Sequence, residues 1–292
     1  MDFYLAAIVQ GLCLVPMGLG IYITMKIFNF PDITTDGSYT LGAVICAVGL
    51  THHVPLSILI PLIFFGGAIA GTLTAWVHTR LKINALLSGI LVMTGLYSIN
   101  LTLLGRSNIP LLAYTNLFTP IFDINPLLNQ LVITASMVLL LICGLSYLLR
   151  TDFGIAMRAT GNNEVMVRSL GVNTATMKWI GLALTNAMVA FSGSLMAQFQ
   201  GFTDINMGIG IVISGLGSVM IAEAIIRWFA TEKIGIHLLF VAMGVIIFQL
   251  VLAFTLSIGI DATLLKLLTS CFVLLIVALP TGNWFSSLKR FY

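Results

Sequence analysis

The sequence predicts an all-α polytopic membrane protein: a helix bundle of about nine segments in a single domain over residues 1–292. Three observations predict it. Hydrophobic residues make up 59% of the chain and charged residues only 8%. Mean hydropathy is +1.08. A soluble domain carries about 25% charged residues, and so few charges cannot cover a surface facing water. The apolar stretches are also long and continuous rather than alternating, which argues against a β-barrel. A net charge of +3, scattered along the chain, is too weak for a nucleic-acid binder.

A helix crossing the hydrocarbon core needs about 20 apolar residues. Stretches free of Asp, Glu, Lys and Arg run over 3–25, 37–79, 83–105, 124–149, 179–203, 205–222, 234–260 and 267–288. The first has only Asp2 ahead of it, not the basic leader of a cleaved signal peptide, and reads as a retained membrane helix. The second is long enough for two passes. Its natural break is His52-His53-Val54-Pro55, because the residue before proline resists the α region. The count is then nine segments.

Two segments open irregularly. The second follows Asn29-Phe30-Pro31-Asp32-Ile33-Thr34-Thr35-Asp36-Gly37-Ser38 and is too short to cross the membrane from Gly37 to the histidines. The seventh follows Thr203-Asp204-Ile205-Asn206-Met207 and carries Gly208, Gly210, Gly215 and Gly217. Both openings place an Asp-Ile pair before polar residues and glycine. Broken segments in matching positions of two halves point to an internal repeat, and in transporters they flank the solute path. The candidate path residues are Asp32, Thr35, Asp36, Ser38, Asp204 and Asn206. A carboxylate at membrane depth is costly and usually functional. The competing reading is helix capping, favoured for Asp32 and Asp204 and evenly balanced for Asp36.

Basic residues set the orientation. With the N-terminus outside, the inside loops hold Lys26, Arg80, Lys82, Arg150, Arg158, Arg168, Lys178, Arg227, Lys233, Lys289 and Arg290; the outside holds Arg106 and Lys266. This bias puts the C-terminus in the cytoplasm. Trp76, Trp179, Trp228 and Trp284 fall near the cytoplasmic ends, as an aromatic belt does. Gly67 and Gly71 form a GxxxG pair suited to close helix packing. Cys13, Cys46, Cys143 and Cys271 are unclustered residues of apolar stretches, and no metal site is expected. Glu223 reads as a structural partner of Arg227 at i+4.

The stretch 150–176 is the most informative. Asn163 is a good N-cap, Glu164 follows it, Arg168 lies in the last turn, and Gly171 suits the C′ position. Val165, Met166 and Leu170 give this two-turn helix an apolar side, and Asn173 or Thr174 caps the next span. So short a helix is unstable alone and must dock, on its own bundle or on a partner.

The run Phe153-Gly154-x-Ala156-x-Arg158-Ala159-Thr160-Gly161-Asn162-Asn163 resembles the coupling-loop motif of permease subunits of bacterial ABC importers, of the branched-chain amino acid type. Within that type it looks most like the tryptophan/tyrosine subgroup. Phe30-Pro31-Asp32-Ile33-Thr34-Thr35-Asp36-Gly37-Ser38, the run from Gly89 to Leu101, Gly105-Arg106-Ser107-Asn108-Ile109-Pro110 and the run from Gln198 to Gly210 also look like that subgroup, so the likeness covers nearly the whole chain. Thr203 and Ile205 depart from it conservatively, standing where Ala and Val are usual.

The resemblance implies a permease that does not itself hydrolyse ATP. Two copies form the path, a separate ABC ATPase subunit holds ATP and Mg, and an extracytoplasmic binding protein or lipoprotein delivers the solute, here an aromatic amino acid. It implies the inner membrane of a bacterial cell, and no cofactor on this chain. The chain has no GxxxxGK[ST] phosphate loop, in agreement. ATPase coupling then falls to Phe153, Gly154, Arg158, Gly161, Asn162, Asn163, Glu164, Arg168 and Gly171, with Gly154 and Gly161 expected to permit turns. The alternative is an ion-coupled secondary transporter. It predicts ionisable residues in the middle of several spans, where this chain has few. An intramembrane enzyme would need a nucleophile–base pair or a motif such as HExxH, and neither occurs.

Overall fold

The computed structural model describes residues 2–114, 116–118, 126–231, 233–259, 261 and 264–278. Helix α1, Asp2–Tyr22, continues into a π-helical turn, Ile23–Ile27. Then come α2 (Thr34–Thr51), α3 (Leu56–Leu81), α4 (Ala85–Leu104) and α5 (Pro126–Arg150). Two short helices, α6 (Asp152–Asn162) and α7 (Glu164–Ser169), precede α8 (Thr174–Gln200). Helices α9 (Ile211–Phe229), α10 (Ile234–Ser257) and α11 (Leu265–Ala278) follow. Strands β1 (Asn108–Pro110) and β2 (Phe202–Asp204) pair antiparallel, with Asn108 opposite Asp204.

Among the described residues, seven helices are long and apolar enough to cross a membrane: α1 with its π turn, α3, α4, α5, α8, α9 and α10. Helix α2 has 18 residues, about 27 Å at 1.5 Å per residue, and falls just short of a full crossing. Of the ninth predicted segment, α11 covers residues up to 278; the remainder, with Trp284, Lys289 and Arg290, lies outside the described residues.

Helix ends follow local chemistry. Pro126 opens α5, where its missing N–H is no loss. The Asn84 side chain accepts the Leu86 N–H and caps α4, which stops at Gly105 with φ +67°. Helix α2 stops at Thr51, His53 turns left-handed (φ +54°), and Pro55 starts α3 from an extended backbone.

Helices α1 and α8 form the middle of the bundle. Their membrane windows are 78% and 83% buried, against 22–28% for α3, α4 and α5, which therefore lie at the periphery of the bundle. The polar face of α2 survives in the membrane because protein covers it: Thr34, Thr35, Ser38 and Thr40 are all buried. Two glycines allow this cover. A Cβ on Gly42 would overlap the Ala190 carbonyl of α8, and one on Gly193 would overlap the Tyr39 carbonyl of α2. Gly67 and Gly71 bring α3 onto the Asn186 and Leu182 carbonyls of α8 in the same way, so the GxxxG contact lies within the chain.

Two elements differ from the sequence expectation. The seventh span starts at Ile211, not 205, because residues 205–210 form consecutive turns behind Asp204 and Gly210 is left-handed (φ +85°). It extends to Phe229, carrying Glu223 and Arg227 as an i,i+4 pair near its end. The stretch 152–162 is a helix, and Gly154 and Gly161 lie inside it rather than in the turns expected of them. The Thr151 hydroxyl accepts the Gly154 N–H and caps α6.

Candidate functional site

The predicted coupling residues gather at one end of the bundle, whereas Asp32 and Ser38 bond Asn186 midway along α8 and Asp204 and Asn206 follow its far end. At one end, α6 lies against the π turn of α1. A Cβ on Gly161 would overlap the Ile27 carbonyl, and Asn29 Nδ2 donates to the Gly161 carbonyl at 3.4 Å. A Cβ on Gly154 would likewise overlap the Leu148 carbonyl and Leu149 backbone of α5. Both glycines are therefore demanded by backbone approach. Met157 and Phe153 anchor α6 in the main core, and Arg158 is half-buried with its Nε unpartnered.

Helix α7 forms as expected. The Asn163 side chain accepts the Met166 N–H at 3.0 Å, Gly171 follows with φ +86°, and the Asn173 side chain caps α8 through the Thr176 N–H. Glu164 pins the loop. Its Oε1 accepts from Arg168 Nη2 (2.9 Å) and the Thr174 hydroxyl (3.1 Å), and its Oε2 pairs with Lys178 Nζ (2.7 Å). Partial burial pushes the Glu164 carboxyl up, but Lys178, Thr174 and Arg168 together outweigh it and hold the carboxyl below its ordinary value of 4.5. The buried apolar residue of α7 is Val167; Val165, Met166 and Leu170 are 80%, 59% and 71% exposed. Asn162 is exposed beside them.

The same end holds a second polar group of side chains. Glu223 of α9 pairs with Lys26 on the π turn at 3.1 Å and with Arg227 at 3.6 Å. Tyr22 Oη lies 3.2 Å from His237 Nδ1, and His237 Nε2 lies 2.7 Å from the Thr231 carbonyl. A carbonyl only accepts, so Nε2 carries a proton; in the neutral ring Nδ1 then accepts from the Tyr22 hydroxyl.

The broken segments α2 and α9 meet inside the bundle. Their Asp-Ile openings fold alike: Asp32 Oδ1 accepts the Thr34 N–H (2.9 Å), and Asp204 Oδ1 accepts the Asn206 N–H (2.7 Å). Asp32 Oδ2 accepts from Asn186 Nδ2 at 2.8 Å, and the Ser38 hydroxyl donates to Asn186 Oδ1 at 2.7 Å. The Thr35 hydroxyl donates to the Asp32 carbonyl at 3.2 Å. The Asp36 carboxylate accepts the backbone N–H groups of Gly210 and Val212, at 2.9 and 3.0 Å. Asp32, Thr35, Asp36 and Ser38 are all buried. Asp204 and Asn206 instead line a cavity of about 510 Å³ between α1, α8, α9 and α10.

Asn186, Gln10 and Gln249 escape the sequence reading because each sits in a stretch free of ionised residues. An uncharged amide inside an apolar span is the signal that finds them. Lys26 as a partner of Glu223 joins two segments far apart in sequence, and no spacing reveals it.

The model of the branched-chain amino acid transport system / permease component family matches residues 3–279. A tyrosine transport system permease protein of Clostridioides difficile (strain R20291) is 39% identical over 99% of this chain and 95% of its own length. An uncharacterized protein of Rickettsia prowazekii (strain Madrid E) is 32% identical over 99% of both. The "Probable branched-chain amino acid transport permease protein LivH" of Methanocaldococcus jannaschii is 25% identical over 97% of this chain and 93% of its own. No solved structure matches. With a bundle of membrane-length helices and a family match over nearly its whole length, this chain belongs to the permease component family of branched-chain amino acid transport systems, and is a transport permease rather than an enzyme.

Proposed function

We propose that the chain is the membrane subunit of an ATP-driven amino-acid importer, with α6 and α7 as the coupling element for a cytoplasmic ATPase subunit. The observation that carries this reading is the exposure of Val165, Met166 and Leu170 on a helix that Glu164 pins to α8. An apolar face held rigidly in water is what a partner's groove takes. Exposed Asn162 and Arg168 stand next to it in the chain, and Arg158 of α6 adds a further charge for the partner. ATP and Mg²⁺ belong to that partner.

In this reading the α6–α7 end is cytoplasmic, as the basic residues favour, and the N-terminus faces outside. The membrane is the bacterial inner membrane, two copies assemble, and an extracytoplasmic binding protein delivers the solute. The tyrosine transport permease among the relatives favours an aromatic amino acid. The solute passes Asp204 and Asn206, which line the cavity, while Asp32, Thr35, Asp36 and Ser38 shape the path by holding the broken helices.

The test is co-purification. The chain is expressed with its operon neighbours, extracted in mild detergent and examined for an attached ATPase, then re-examined with residues 162–170 scrambled. A complex lost on scrambling supports the reading. A chain that purifies alone and moves solute without ATP overturns it in favour of an ion-coupled transporter.

A further inference from the structure

The 510 Å³ cavity is lined by a pair of amides without a hydrogen-bond partner among the described residues. Gln10 of α1 and Gln249 of α10 both line it, and neither side chain makes a hydrogen bond among the described residues. Gln249 is only 9% exposed. Each stands eight residues from its helix end, at Asp2 and Ser257, about 12 Å in at 1.5 Å per residue. At that depth the surrounding lipid supplies no hydrogen bonds, so polar groups require partners. The cavity gives a partner for Gln249 room to stand.

The rest of the lining sorts by chemistry. Asp204, near the β ribbon, is the single ionised side chain among the described lining residues. Its Oδ1 is taken by the Asn206 N–H, and its Oδ2 has no partner among the described residues. The rest of the lining is mostly apolar and aromatic, with Leu14, Met196, Phe199, Phe202 and Met207, beside the polar side chains of Tyr39, Gln200, Asn206 and Ser214. A volume of this size falls in the range of small-molecule sites, about 300–1,000 Å³.

We propose that this cavity binds a solute with an ammonium group at one end, a flat apolar body, and a hydroxyl at the other end. Asp204 receives the ammonium, and the Gln10 and Gln249 amides receive the hydroxyl. No lining residue offers a charge to a carboxylate, so the ammonium is the end that is recognised. This deepens the importer reading and rests on it. The permease then reads the solute itself, in addition to whatever the delivery protein selects.

The test is direct binding to the purified full-length chain, with tyrosine, tyramine, phenylalanine and 3-(4-hydroxyphenyl)propionate as probes. Tyrosine and tyramine are expected to bind, and the propionate, which lacks the ammonium, is expected to bind at least 10-fold more weakly. Phenylalanine is expected to lose a similar factor, because a site built to bond a hydroxyl rejects its absence. Asp204→Asn should weaken tyramine at least 10-fold. Gln249→Leu should erase the preference for tyrosine over phenylalanine, and Gln249→Asn should keep part of it; melting of each variant checks the fold. Equal binding of the propionate, unchanged selectivity in a folded Gln249→Leu protein, or binding of none of the probes (a cavity that holds water only) would overturn the proposal. ATP-driven tyrosine uptake by the assembled complex separates the two claims. Uptake untouched by Asp204→Asn sinks the cavity site alone, whereas a complex without an ATPase sinks the importer reading.

Discussion

The Asp36 carboxylate of α2 accepts the backbone N–H of Gly210 at 2.9 Å, and its second oxygen accepts that of Val212 at 3.0 Å. One side chain thus caps a helix that starts far along the chain. Gly210 has no side chain with which to cap α9 itself, and its left-handed backbone aims the first N–H groups of α9 at α2. Those groups lack intrahelical partners, and the helix dipole adds to the attraction of a carboxylate. A Cβ on Gly208 would overlap the Asp36 carbonyl, so the turn ahead of α9 lies flat on α2. The two broken segments are held in one arrangement by backbone contact and a single buried acid.

Asp36→Ala therefore removes the acceptor of two poorly solvated N–H groups. The expected cost is about 2–3 kcal/mol in stability, read as a fall in the melting midpoint in detergent. Asp36→Asn keeps one acceptor and should lose about half as much. A raised KM for uptake with an unmoved midpoint would instead put Asp36 in contact with solute.

Gly161→Val is expected to abolish ATP-driven uptake while the chain still inserts in the membrane. Any side chain at 161 collides with the Ile27 carbonyl and must lift α6 from the π turn. Gly161→Ala already places the offending carbon and should impair uptake as well. Uptake at the wild-type rate in either variant, with normal ATPase stimulation, would remove α6 from the coupling role.

The bundle and the ends of α7 are legible in the sequence because their causes are local. Asn163, Gly171 and Asn173 cap and stop helices by their own chemistry. Asp32 and Asp204 announce turns by the same rule. What stays hidden depends on partners distant in sequence. The role of Asp36 becomes visible only when α9 is placed beside it, and the need for Gly161 only when α6 meets Ile27. The late start of α9 is hidden too, since Ile205 and Ile209 read as apolar membrane residues although they lie in turns. Gln10 and Gln249 look like ordinary polar interruptions until the cavity brings them together.

Replacing Val165, Met166 and Leu170 by serine should leave the melting midpoint unchanged, because all three side chains are mostly exposed. It should also release the ATPase. Apolar anchors at the centre of an interface cost about 2 kcal/mol or more when truncated, roughly 30-fold in affinity. Titration of the purified ATPase against the detergent-solubilised chain measures this. An unaltered affinity would place the ATPase elsewhere.

Glu164 holds α7 to α8 through Lys178 and Thr174, and its carboxyl lies below the ordinary value of 4.5. A group whose folded pKa lies below its unfolded one stabilises fully above the unfolded value, and that contribution is lost as pH falls through the folded one. The pin is therefore intact from about pH 5 upward and fails only in stronger acid. Hydrogen exchange of the α7 amides, corrected for intrinsic rates, should show level protection between about pH 5 and 8. Glu164→Gln keeps the shape but loses the charge on which Lys178 acts, and should speed α7 exchange across that range without changing the melting of the bundle. A wild-type loss of protection between pH 7 and 5 would show that something other than the Glu164 carboxylate holds α7.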